Sequence, residues 1–305
     1  MKSMRLVPDN VNLDLLNKRY IAFIFSGLLL VLSVVSLFHQ GLNYGIDFLG
    51  GTTIEAAQSE AVDIAALRQR LGALDLGQVQ IQEFGNDKTV LIRVSAASVS
   101  QAAENELSAV EQIRNELQDF DIRRVEVVGP QISGELISTG LIAVVLAIAA
   151  MLIYIWFRFE WQFGVGAVLA LVHDVALTIG VFSLLQIEFN ISILAALLTI
   201  VGYSMNDTVV VYDRVRETLR KYKRMDLIDL LNEAINSTLS RTTMTSLTTL
   251  LALVALYTLG GEVIRGFTFA MIWGIVIGTY SSIFVAAPLL VILGVKRDWS
   301  EHASS

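Results

Sequence analysis

The residues Asp, Glu, Lys and Arg are distributed very unevenly along this chain. Stretches 20–38, 136–157, 242–261 and 266–295 contain none of the four, while 161–187 holds only Asp174 and 189–212 only Asp207. A helix rises 1.5 Å per residue, so about 20 apolar residues cross the roughly 30 Å hydrocarbon layer of a bilayer. The pattern predicts six spanning helices, the first at 20–38 and the other five within 136–295. The first stretch exceeds the roughly 7–15-residue core of a cleaved signal peptide, and His39-Gln40-Gly41-Leu42 lacks a small-x-small cleavage pattern. A retained anchor is therefore expected.

The region 39–135 has a different period. Thr52-Thr53-Ile54-Glu55-Ala56 alternates as a strand does, and 62–74 places Ile64, Leu67, Leu71 and Leu74 at spacings of three and four, a helix. Residues 79–84 alternate again, Gly85-Asn86-Asp87-Lys88 predicts a turn, and 89–94 predicts the hairpin partner. A helix over 98–117 and a strand over 122–128 complete the order β-α-β-β-α-β, the signature of a ferredoxin-like split βαβ domain. Gly129-Pro130 marks the return toward the second span. The fold class expected is an all-α six-helix transmembrane bundle carrying an α+β ferredoxin-like domain between spans 1 and 2.

Composition agrees with a membrane protein. Of 305 residues 54% are hydrophobic and only 17% charged, against about 25% charged in soluble domains. A formal charge of −7 argues against a nucleic-acid partner. The absence of cysteine excludes disulfides, Cys–zinc sites, iron–sulfur clusters and thiol catalysis. Its three histidines, His39, His173 and His302, fall at separate places in the topology, so neither a metal site nor a cofactor is expected.

The basic residues orient the spans. Lys2, Arg5, Lys18 and Arg19 precede the first, and Arg214, Arg216, Arg220, Lys221, Lys223, Arg224 and Arg241 crowd 213–241. Segments 1–19, 213–241 and 296–305 are therefore expected in the cytoplasm, and 39–135 outside it as an extracytoplasmic domain. Within 213–241, residues 226–239 read as an amphipathic helix, with Leu227, Leu230, Leu231, Ala234, Ile235 and Thr238 on one side, fit to lie on the membrane or dock a partner.

An ionisable residue within a bilayer costs roughly 2.5–3.5 kcal/mol on insertion scales and is functional by default. Asp174 and Asp207 are the two acids inside the spans. Helical spacing sets Thr199, Tyr203, Asn206 and Asp207 on one polar stripe, and Arg241, Thr245, Thr248 and Thr249 on another. An Asp whose distance from an Arg alternates can take up and release a proton. Asp174 follows His173, with Thr178 one turn on; it reads equally as a second member of that path or as packing glue. A pair of intramembrane carboxylates also suggests an aspartyl protease, but the Gly-x-Gly-Asp context is absent. Gly274, Gly278 and Ser282 recur at four-residue intervals, a face for close helix packing, and Pro288 is placed to kink the last third of the final span.

These blocks resemble the SecF family, the smaller subunits of SecD–SecF protein-export complexes, related to the RND transporter superfamily. The resemblance is carried by Tyr44-Gly-Ile-Asp-Phe-Leu-Gly-Gly-Thr52, Arg158-Phe-Glu160, His173-Asp174, 201–217, 239–251 and 278–288. Ser133 is a departure, standing where the family often has glycine. The resemblance implies a non-enzymatic accessory of the Sec pathway, multi-pass in the bacterial inner membrane with both termini cytoplasmic. It implies use of the proton motive force to complete preprotein translocation. It also implies a SecD-like partner forming a heterodimer, contact with the SecYEG channel and the emerging preprotein, and YajC and YidC as further candidates. Asp207 matches the family's proton-carrying aspartate and Arg241 its partner arginine. Tyr203, Asn206 and Asp174 join them as the expected proton pathway. The alternatives are a small-molecule efflux component of the RND type and a purely structural scaffold subunit.

Overall fold

The computed structural model describes residues 12–74, 79–95 and 105–295. Lys2, Arg5, His302, the beginning of the helix expected over 98–117 and the tail 296–305 lie outside the described residues. Among the described residues, six helices are long and apolar enough to cross a membrane. The first is α1 (Arg19–Gln40). A short turn of helix, α2 (Ile46–Leu49), leads from it into a small α+β domain.

That domain runs β1 (Gly51–Ala57), α3 (Ile64–Gly72), β2 (Val79–Phe84), β3 (Asn86–Ser95), α4 (Asn105–Glu116) and β4 (Asp121–Val128). Its sheet order is β2-β3-β1-β4 with every neighbour antiparallel. This is the ferredoxin-like arrangement that the alternation predicted. The hairpin is tighter than expected: Phe84 already pairs with Asn86, and Gly85 alone supplies the reversal at φ +79°. Alternation on β1 sends Ile54 and Ala56 toward the helices, where they are fully buried with Leu67, Leu71, Ile92 and Ile113. Thr53 and Glu55 point to the opposite face, which looks onto the bundle.

The remaining spans are α5 (Pro130–Arg158), α6 (Trp161–Leu185), α7 (Ile191–Lys221), α8 (Leu227–Leu259) and α9 (Arg265–Ser281). The last continues through a π-helical turn at Ser282–Ala286 into α10 (Ala287–Ile292). Pro288 has no N–H for the carbonyl four residues back, and the wider π-turn takes up that mismatch ahead of it. About half of the most apolar stretch of α6, α7 and α9 is buried within the chain, against none of α5. Thus α6, α7 and α9 form the centre, while α1, α5 and α8 flank it. Helix α1 packs through its small side: Ser33 lies against Gly180, and Ser36 and Ser183 share a 2.9 Å hydrogen bond. Its Ile21, Ile24, Phe25 and Leu28 face outward, as a lipid-contacting surface requires.

Helices α7 and α8, of 31 and 33 residues, extend into 213–241 from either side. One expectation is corrected: the amphipathic stretch 226–239 is not free to lie on a membrane or receive a partner. Leu230, Leu231, Ala234 and Ile235 are fully buried in the same apolar cluster as Val215, Leu219 and Leu16. The chain covers that stripe itself, since burying it internally removes more apolar area from water than a solvated arm would. Asn232 ties the start of the chain to this knot, accepting from the Leu15 and Leu16 amides at 3.0 Å.

The α+β domain is stitched to the bundle through the loop 186–190, which joins α6 to α7. Phe189 donates to the Asn43 carbonyl at 2.7 Å and receives the Gly45 amide at 2.9 Å. Asp47 accepts the Ile191 amide at 2.9 Å, and Arg93 on β3 forms an ion pair with Glu188. Gly50 and Gly51 have φ of +67° and +133°, where a side chain would be strained; this is why glycines stand at the passage from α2 into the first residue of β1. Ser133 turns its hydroxyl to the Ile46 carbonyl at 3.3 Å, a bond that glycine at this position could not make.

Leu231→Ala should lower the detergent-solubilised melting temperature, with a loss of about 2–5 kcal/mol for a fully buried leucine; an unchanged melt would mean the stripe is not packed internally. Burial pushes the Glu188 carboxyl above its usual range, opposed by the Arg93 guanidinium and reinforced by Asp47 and Glu126. Its contribution to stability is then complete below the ordinary carboxylate value and declines as pH rises through the elevated one. Glu188→Gln should flatten that part of the stability curve, read as melting temperature against pH.

Candidate functional site in the membrane bundle

Two carboxylates sit in the central three-helix packing, each held by hydroxyls from neighbouring helices. Asp174 on α6 is fully buried. Its Oδ1 lies 2.8 Å from His173 Nδ1, and its Oδ2 accepts the hydroxyls of Ser204 on α7 at 2.5 Å and Ser281 on α9 at 2.7 Å. Thr178, one turn on, bonds the Asp174 backbone carbonyl at 2.8 Å and not the carboxylate. Asp207 on α7 is buried as well. Its Oδ1 accepts Thr242 Oγ1 of α8 at 3.0 Å, and its Oδ2 accepts the Ser282 hydroxyl. Buried carboxylates require such donors, because an unpaired charge in low dielectric is far more costly.

Arg241 is exposed and makes neither an ion pair nor a hydrogen bond with Asp207, although it adjoins Thr242, whose hydroxyl touches that carboxylate. Tyr203 is half-buried, its hydroxyl 3.5 Å from Ser246, which in turn bonds Thr279 at 2.7 Å. Asn206 and Thr199 are exposed. The stripe is therefore graded: Asp207 is its inner edge, Tyr203 lies between, and Asn206 and Thr199 form the outer edge. On α8 the hydroxyls of Thr245, Thr248 and Thr249 turn back to carbonyls of their own helix. Thr242, beside Arg241, is the threonine that touches the acid.

Gly274 and Gly278 bring α9 onto α7. A methyl at Gly274 would overlap Ile200, and one at Gly278 would lie 3.0 Å from Ser204 Cβ. Ser282, expected only as a packing residue, also donates to Asp207. Ser204, Ser281, Thr242 and Ser246 escaped the sequence reading because it followed charges. An inventory of hydroxyls within the spans would have raised them, since a buried acid must find donors. Among the described residues no three of His, Asp and Glu gather as metal ligands would.

The fold and site define a six-span membrane protein with a ferredoxin-like domain after its first span and polar groups gathered in the bundle. The model of "Protein export membrane protein SecD/SecF, C-terminal" matches residues 109–296, and the SecD/SecF GG motif matches 35–57. Curated relatives called protein translocase subunit SecF are 48% identical over 96% of this chain and 93% of the relative in Cereibacter sphaeroides, and 50% identical over 95% and 94% in Magnetococcus marinus. The crystal structure of SecDF, a translocon-associated membrane protein of Thermus, superposes with a TM-score of 0.83 at 37% identity. That match covers 93% of this chain and 39% of the solved chain, so the present chain spans about two-fifths of that protein's length. A second SecDF structure, in a super-membrane-facing form, gives a TM-score of 0.68. The chain belongs to the SecD/SecF family of protein-export membrane proteins, and its full-length relatives are of the SecF type.

Gly274→Val should destabilise the α7–α9 contact by about 1–3 kcal/mol, the usual range for overpacking, seen as a lower melting temperature. The same change at exposed Gly261 should be milder in packing terms, although its φ of +80° adds its own strain.

Proposed function

We propose that this chain is the SecF-type half of a proton-coupled protein-export assembly in the bacterial inner membrane. Asp207 carries the reading. It is an acid buried among hydroxyls in the bundle, with an arginine on the next helix that adjoins its partner Thr242 without pairing with the acid itself. Protonated, Asp207 is a neutral partner for Thr242 and Ser282. Deprotonated, it attracts Arg241, whose approach would shift α8 against α7. The force available is adequate, since one charge crossing 100 mV releases about 2.3 kcal/mol. Loop 186–190 starts where α6 ends and leads into α7, and it holds the α+β domain through Arg93–Glu188. Movement of these helices is thereby offered a mechanical route to the domain that would handle an emerging preprotein.

In this reading both termini are cytoplasmic and the α+β domain is periplasmic, a placement that the lysines and arginines of the short flanks support. The uncovered faces of α5 and α8, together with the outward Arg241–Thr245–Thr248 edge, are the surfaces a SecD-like subunit would cover. SecYEG, YajC, YidC and the preprotein are proposed partners on the family's account, beside membrane lipid. No catalysed bond change is assigned to the chain. The small-molecule efflux alternative is not favoured by the comparisons.

The chain reconstituted with its SecD-like subunit should admit protons under an imposed pH gradient, followed with an entrapped pH dye. Asp207→Asn should reduce the flux to that of protein-free vesicles and abolish proton-stimulated export while the complex still assembles. Wild-type flux in that variant would refute the role of Asp207, and absent flux in the wild-type complex would favour a structural subunit.

A further inference from the structure

Three consecutive residues where α9 passes into its π-turn reach both buried acids and the histidine beside one of them. Tyr280 stacks on the His173 ring at 6.3 Å between centroids, and its hydroxyl meets the Ala22 carbonyl and Ser26 of α1, each at 3.0 Å. Ser281 donates to Asp174, and Ser282 donates to Asp207. Both serines are fully buried.

Each serine also has a second acceptor within its own helix. Ser281 Oγ lies 3.1 Å from the Gly278 carbonyl, and Ser282 Oγ lies 3.0 Å from the Thr279 carbonyl. A hydroxyl has one proton to donate. Each serine is thus a two-position switch between a carboxylate on a neighbouring helix and a carbonyl of its own. An ionised acid holds the hydroxyl, and a protonated acid competes for it less well. The π-turn is the pliable place in which to put such a switch, because its wide hydrogen-bond ring is looser than an α-turn and recurs at functional sites. His173 adds an independent sign that the first acid is not inert glue, since its Nε2 is buried without a hydrogen-bond partner while Nδ1 is engaged by Asp174.

We propose that Tyr280-Ser281-Ser282 couples two proton-exchanging sites, so that the charge on Asp207 sets how tightly the His173–Asp174 pair holds its proton. The coupling rests on the reading of Asp207 as a proton carrier and extends it to a second site. Among the described residues, the titratable or charged groups that the packed elements bring to this region are His173 on α6, Asp207, Tyr203 and Tyr212 on α7, the last bonded to the Ala286 carbonyl of the π-turn at 3.1 Å, Arg241 on α8 and Tyr280 on α9; α1 contributes the neutral hydroxyl of Ser26. Protons at both sites come from and return to bulk water. Ser281 and Ser282 are positioning residues that touch no substrate.

The test is carbodiimide labelling of protonated carboxyls in the reconstituted complex at graded pH, with Asp174 and Asp207 resolved by mass spectrometry. Ser282→Ala removes a bond to Asp207 and none to Asp174, yet it should move the labelling midpoint of Asp174 by about one pH unit, a tenfold change in proton affinity. Ser282→Thr should restore the wild-type midpoint. A shift confined to Asp207, or an Asp174 that labels at no pH, would overturn the proposal. If Asp207 itself never labels, the proton-carrier reading fails, and amide hydrogen exchange decides the coupling separately. Asp207→Asn should then change exchange across residues 170–178 in the wild-type background and leave it unchanged in Ser281→Ala. Identical exchange in both backgrounds would refute the coupling.

Discussion

The structure turns on the requirement that a carboxylate removed from water find hydrogen-bond donors. Asp174 and Asp207 meet it through hydroxyls on other helices: Ser204 on α7 and Ser281 on α9 for the first, Thr242 on α8 and Ser282 beyond α9 for the second. Those bonds work only if the helices approach closely, and the glycines at 274 and 278 permit this where α9 meets α7. In a bilayer, lipid is as apolar as the side chains it would displace, so helix association depends on packing and polar contacts. The acids and the small residues are therefore parts of one device: the first demands a partner, and the second lets it come near.

The peripheral helices follow from the same balance. Where α1 meets α6 it presents Ser33 and Ser36 and buries them, while its leucines and isoleucines face away. Helices α5 and α8 leave broad apolar faces uncovered within the chain. On α8 the outward edge also carries Arg241, which lipid cannot solvate well. A bundle with a satisfied centre and an unsatisfied rim is consistent with one half of a larger assembly. The SecDF structure is more than twice this chain's length, and the match covers 39% of it.

Much of this was legible from residues alone. Uncharged stretches located the six spans, alternation located the four strands, and the scarcity of acids inside the spans singled out Asp174 and Asp207. Helix ends were less legible, because α7 and α8 continue past the apolar stretch as amphipathic helices and pack on each other's extensions. The meaning of Leu230, Leu231 and Ile235 was also hidden. An apolar stripe reads the same whether it faces a membrane, a partner or Val215 and Leu219 of its own chain.

The sequence by itself determined the class of fold, the family blocks and the identity of the two membrane acids, because hydrophobic period and the cost of buried charge are local properties of residue type. Tertiary structure decided which hydroxyls hold those acids, that Arg241 stands near Asp207 without pairing, and that Tyr280, Ser281 and Ser282 together reach α1, α6 and α7. A hydrogen bond between residues 30 to 107 positions apart depends on how the helices are rotated and how closely they approach. No period along a single chain encodes either quantity.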